Sequence, residues 1–444
     1  MIRTADRGVN DSEQRESLLE TAAKGSDGMT ITFPPDASAI SQFRQEQAAL
    51  ARLAGDARRL AQEAISRARR DLVQRYSDLT LQRSFNSPDA ETEQLVWFWF
   101  NHFNVYWQKS LVGVAVPDYV DTAIRPHVRG SFRDMLLSVL THPAMLVYLD
   151  NVSNTAGRGN ENLARELLEL HTLGVNGGYS QADVREVARV LTGMGLRPLT
   201  PGKKNPEEHP LAKARGEFLF DPYKHQGGAK EVLGQTIESG GFAEVEALAD
   251  LLATHPATAR HISGKLSRHL LGVASSEAQQ AHAAYAFLAT QGNLGSTVAA
   301  IREKAGGEAT PGRTFKDPYR YVSTAVELLR HGQAMQNADP VVRWISTLGQ
   351  PLFGCRTPDG YSLDGDDWLS SGQLAQRFEL APTMVAAVGR LTEKPVPAEA
   401  AWASRSAKDL LVTLPSSSRR AIEPAVTASE RLALLLSSPE FMYW

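Results

Sequence analysis

The residues from Asn160 to Val175, NENLARELLELHTLGV, place three glutamates, an arginine and a histidine within three helical turns. At 100° per residue, Glu161, Asn162, Arg165, Glu166 and Glu169 share a polar arc of about 140°, and Leu163, Leu167, Leu168 and Leu170 fill the remainder. Carboxylates gathered on one face beside a guanidinium and an imidazole are a donor set for acid–base chemistry. Glu161 or Glu166 would serve as general base or metal ligand, Arg165 would bind an anionic group, and His171 would complete the site. The same spacing describes a solvated stripe in which Arg165 bridges Glu161 and Glu169 at four-residue intervals. His171 falls at the edge of the apolar side near the helix C-terminus, where either a dipole-favoured imidazolium or a neutral core imidazole fits.

The following helix begins at SQADVREV. Ser180 and Asp183 have the spacing of a capping box, which makes Asp183 a cap and not a ligand. Glu186 and Arg189 lie outward, opposite Val184, Val187, Val190 and Leu191. Folding back through VNGGY would bring Glu166, His171 and Glu186 together, a weak metal-ligand set for zinc, manganese or iron without a His-Glu-x-x-His signature. The cofactor is otherwise unassigned; a divalent metal fits these residue types, whereas haem is disfavoured because no Cys-x-x-Cys-His occurs. His102, His225 and Lys265 are further candidates. His142 and His255, each before a proline, read as helix caps. KHQGGAK carries two lysines but lacks phosphate-loop spacing, and the lone Cys355 has no neighbouring base.

These residues need helices to hold them, and helix signals run through most of the chain. QFRQEQAALARLAGDARRLAQEAISRARRDLVQRY reads as one long helix or two joined near Gly55, its arginines on a solvated face. LVWFWFNHFNVYWQKS carries rings around most of its circumference and reads as the central core helix, buried over 95–107. THPA at 141–144, THPA at 254–257 and SSPEF near Ser438 mark sharp helix starts with proline in the first turn. Alternating β-branched runs are absent, leaving FLF at 218–220 as the candidate for brief strand pairing. The expected fold is all-α, a large multi-helix globular domain with at most minor β-structure. A mobile N-terminal arm is expected over 1–40 and the helical domain over 41–444, as one body or as two packed lobes, 41–197 and 218–444, joined by a Pro-rich loop.

A formal charge of −3 supplies no field for gathering nucleic acid. No segment approaches the roughly 20 apolar residues of a membrane span, and the start lacks a secretory signal, so a cytoplasmic protein is expected.

The succession HPAML, YLDN, NENLARELLELHTLGV, GYS and a DV-E-AR-LTG helix, from His142 to Met194, resembles the bacterial family catalogued as domain of unknown function 1800. LATHPATARHISGKL, KDPYRYV, LGQPLF and SPEF extend the resemblance over most of 90–444. Related sequences carry His-Asp where this chain has His225-Gln226, and Gly-Trp where it has Gly360-Tyr361. The resemblance implies a helical fold, a bacterial source and frequent association with the cell envelope, hence the alternative of periplasmic placement by co-export. It also implies a partner from the unknown-function family 1501, whose members look like alkaline-phosphatase relatives. Two functional expectations follow: an enzyme working through Glu161, Arg165, Glu166 and His171 on an anionic or polar substrate, or a non-catalytic helical partner of an envelope protein.

Overall fold

The computed structural model describes residues 31–200, 204–272, 275–308 and 314–444, without the side chains of 304–308. Helix accounts for 62% of the structure, as the pattern of the sequence requires. The residues expected as an arm over 1–40 lie, for 1–30, outside the described residues. Those that follow are packed: Phe33 is fully buried, its carbonyl accepts from Arg75 Nη2 at 3.1 Å, and a helix begins at Ser38.

The long arginine-rich segment forms two helices, Ser38–Leu50 and Gly55–Asn86, broken where Gly55 takes a φ of 57°. Only glycine adopts that left-handed conformation without strain. The next helix, Ala90–His102, is the centre of the molecule, with every residue from Leu95 to His102 buried. Trp97 stacks on Tyr319 with centroids 4.7 Å apart, Phe100 meets Phe353 edge-on at 4.9 Å, and Trp99 packs on Phe132 at 5.8 Å. The stretches on either side of the Pro-rich loop therefore share one apolar core.

The proline-marked starts are genuine caps. Nδ1 of His142 accepts the Ala144 N–H and Nδ1 of His255 accepts the Ala257 N–H, each at 3.1 Å, with proline at the first helical position where no N–H is needed. Ser180 and Asp183 close a full capping box on Gln181–Val190.

Strands are short. β1 (Met194–Leu196), β2 (Lys213–Arg215) and β3 (Phe218–Phe220) form an antiparallel sheet in the order β1-β3-β2, and β4 (Lys230–Val232) pairs with β5 (Gln235–Ile237). FLF is thus the central strand, with all three residues buried. Among the described residues no helix is long and apolar enough to cross a membrane.

Candidate functional site

Glu161 precedes the helix Asn162–Glu166, and the Asn160 side chain caps its start by accepting the Asn162 N–H at 3.0 Å. Arg165 Nη2 meets Glu161 Oε2 at 3.0 Å and Gln181 Oε1 at 2.9 Å, while Gln181 Nε2 donates to Glu161 Oε2 at 2.8 Å. The two charged side chains remain 41% and 37% exposed, so this triad is a solvated brace between consecutive helices.

The bridge expected from Arg165 to Glu169 is not made. After Glu166 the chain winds as a π-helix over Leu167–Thr172, with Leu173 N–H bonding to the Leu168 carbonyl at 3.0 Å and Thr172 Oγ1 donating to the Leu167 carbonyl at 2.6 Å. The wider turn breaks four-residue alignment, and Glu169 accepts instead from Tyr179 Oη at 3.3 Å. Gly174, at φ 83°, ends the segment as a left-handed glycine. Its α-carbon lies so close to His261 that a β-carbon would sit 2.8 Å from Nδ1.

The same winding carries His171 from the edge of the apolar side into the core, where it is 1% exposed. There it meets two other imidazoles, with His102–His171 centroids 6.0 Å apart and His102–His261 centroids 6.2 Å apart. His102 Nε2–H donates to the His171 carbonyl at 3.1 Å, and His261 Nε2–H donates to the Leu170 carbonyl at 3.0 Å. His102 Nδ1 and His171 Nε2 find no partner among the described residues.

Lys265, one turn beyond His261 on the helix Pro256–Leu271, acts on all three rings. Burial, then Lys265 and His261, push His171 down to about 3; burial also holds His102 and His261 below the usual imidazole range. Burial pushes the Lys265 ammonium down to about 8 against the pull of the Asp359 carboxylate. Asp359 also helps raise Glu166, after burial and Glu169 and against Arg165. Tyr148, likewise raised by burial and by Cys355, Asp359 and Glu166, donates to the Arg356 carbonyl at 2.7 Å. A graded site results: Asp359 exposed, Glu166, Lys265 and His261 half-buried, and the His102 and His171 imidazoles sealed beneath.

The loop supplying Asp359 is fixed by Asn101 at the end of the aromatic helix. Asn101 Nδ2 donates to the Tyr361 carbonyl at 2.8 Å and Oδ1 accepts the Tyr361 N–H at 2.7 Å. Cys355 lies buried in this loop, its sulfur 3.7 Å from the Thr357 carbonyl.

Of the residues nominated from sequence, Glu166 and His171 belong to this neighbourhood and Glu161 and Arg165 brace its rim. Glu186 pairs with Arg189 at 2.6 Å instead of converging on them. No group of three His, Cys, Asp or Glu side chains among the described residues is arranged to hold a metal. The KHQGGAK lysines are committed internally: Lys224 pairs with Asp221 at 3.1 Å, and Lys230 is sealed against Glu244, whose other oxygen takes His225 Nε2 at 3.1 Å. His142 Nε2 is held by Asp118 at 3.0 Å, so that histidine is a cap braced at both nitrogens. His261, Asp359 and Tyr148 were not singled out by sequence. His261, Lys265 and His269 recur every four residues along ARHISGKLSRHLL, a polar row on an otherwise apolar helix face that could have pointed to the first of them.

The family model described as protein of unknown function (DUF1800) matches residues 7–443. No curated protein and no solved structure matches the chain.

Proposed function

We propose that this chain, which belongs to the DUF1800 family of proteins of unknown function, is an enzyme that moves protons on a polar substrate, using Glu166 and Lys265. The observation that carries this reading is that the Asp359 carboxylate acts on both a Glu166 carboxyl raised chiefly by burial and a Lys265 ammonium lowered chiefly by burial, groups from separate segments at the boundary between solvent and core. Pairs of groups whose environments drive their proton affinities toward neutrality from opposite sides are how one site keeps an acid and a base at the same pH. Asp359 favours the charged form of the lysine, and beneath it His102 Nδ1 and His171 Nε2 have no partner among the described residues. Arg165, at the rim, would meet an anionic group on the substrate by exchanging its contacts with Glu161 and Gln181.

The test is a substrate screen on purified protein with Glu166→Gln and Lys265→Met in parallel. Loss of either proton-transfer group is expected to lower turnover by about 10²–10⁴-fold with melting temperature unchanged or raised. Turnover that survives in both folded variants would overturn the assignment. A stoichiometric co-purifying partner of the 1501 type, with no turnover in any screen, would replace it with the helical-partner reading and place the chain at the envelope.

A further inference from the structure

A cleft of about 780 Å³ opens between the aromatic helix and the helix Pro318–Arg330, and none of Glu166, His171, Lys265 or Asp359 lines it. Its volume lies within the range of pockets that enclose small organic ligands. The accessible wall is more apolar than polar: Trp97 backed by Tyr319, Phe98 tilted against His269 at 5.0 Å, and Leu328 and Leu410 stand among serine, threonine and amide side chains.

The charges at its edge are already matched. Glu327 holds Arg330 through two hydrogen bonds, at 2.6 and 2.7 Å. Arg320 donates to the His269 carbonyl at 2.8 Å, lies 3.7 Å over the Trp444 ring and stands 3.7 Å from Asp317. His331 sits exposed at the rim. His269, buried beside Arg320, is neutral, its proton affinity pushed down to about 3. A charged ligand would lose its hydration without finding an unmatched counter-charge, which disfavours it strongly. Among the buried polar side-chain atoms of the lining, the Ser323 hydroxyl has no partner among the described residues. A buried polar group without a partner is costly unless something else completes it.

We propose that this cleft binds an uncharged, largely apolar small molecule that hydrogen-bonds to Ser323. This site is distinct from the Glu166 neighbourhood, and binding is read without turnover, so failure here leaves the acid–base reading standing. The experiment titrates full-length protein with the neutral fused-ring dye Nile red and with the anionic dye 1-anilinonaphthalene-8-sulfonate. Leu328→Trp and Leu410→Trp fill the cleft from different elements, so that one serves if the other fails to fold by circular dichroism. Saturable one-to-one Nile red binding is expected, weakened at least 10-fold by filling, with the anionic dye binding at least 10-fold more weakly. Absence of Nile red binding, binding indifferent to filling in folded variants, or equal affinity for the anionic dye would each overturn the proposal.

Discussion

Glu244 and Glu166 are both withdrawn from water, yet burial has opposite consequences because of what each carboxylate meets. Burial would raise Glu244, but His225, Lys230 and the Gly240 N–H outweigh it and bring the carboxyl down to about 2. Its stabilisation is therefore complete above the unfolded carboxyl range and is lost as pH falls toward about 2. Glu244→Gln leaves Lys230 charged and enclosed with no anion, a change expected to cost about 3–5 kcal/mol in urea denaturation at pH 7; a loss below 1 kcal/mol would mean that the lysine finds another partner. Glu166 is raised, so its ionised form opposes folding and the cost grows as pH rises. Glu166→Gln should leave the melting temperature at pH 8 equal or higher, and a drop of several degrees would contradict the reading of that carboxylate as a strained functional group. Capping residues such as His142 and His255 were legible because a cap is decided within three residues of chain. Lys265 could be nominated by type alone, and its meeting with Asp359 could not be, because no local rule links positions that distant.

At the level of elements, the π-turn at Leu167–Thr172 explains why the stripe over 161–171 was only half legible. A helical projection assumes 3.6 residues per turn throughout, and one wider turn rotates everything after it by about 100°. Glu161 and Arg165, ahead of the turn, keep the predicted pairing; Glu169, within it, does not, and His171 turns into the core. Nothing in LLELHT distinguishes a π-turn from an ordinary one; the wider turn shows itself in the Thr172 Oγ1 bond to the Leu167 carbonyl and in the burial of His171. The loop carrying Asp359 depends on a similar close fit. Gly360 has a φ of 77°, and a β-carbon there would lie 2.1 Å from the Asn101 carbonyl oxygen, which the aromatic helix cannot move. Gly360→Ala is expected to cost on the order of 2–3 kcal/mol through left-handed strain and overlap and to displace Asp359. The displacement has its own signature: trinitrobenzenesulfonate labelling of Lys265, followed by peptide mass spectrometry, should show a labelling midpoint below the native value of about 8, because the anion that holds the proton has moved. An unchanged midpoint in a folded variant would separate the loop from the lysine.

Across the whole molecule, the helical architecture was readable because a single aromatic helix and repeated proline caps dictate it, and one consequence of that architecture concerns acid. His102, His142, His171, His261 and His269 are all pushed below the usual imidazole range, in each case with burial as the leading cause. Unfolding returns them to water, where they titrate near 6.5. A base depressed in the folded state contributes stability above its unfolded value and loses it as pH falls toward the folded one, so at His171 and His269, both brought down to about 3, the unfolded chain takes up protons between about 6.5 and 3 that the native chain refuses. His171 and His269 are each worth about 1.4 kcal/mol per pH unit well inside that window, and His102, His142 and His261 add to the slope in the same direction. A native protein is stable by only about 5–15 kcal/mol, so the urea midpoint should drop steeply from pH 7 to pH 5, before carboxylates such as Glu244 begin to matter. His171→Phe and His269→Phe, which keep a ring in place and remove the titration, should each make the decline shallower. A midpoint that held constant over this interval would show that the imidazoles reach water in the native state, and would refute the sealed floor that His102 and His171 form beneath Glu166 and Lys265.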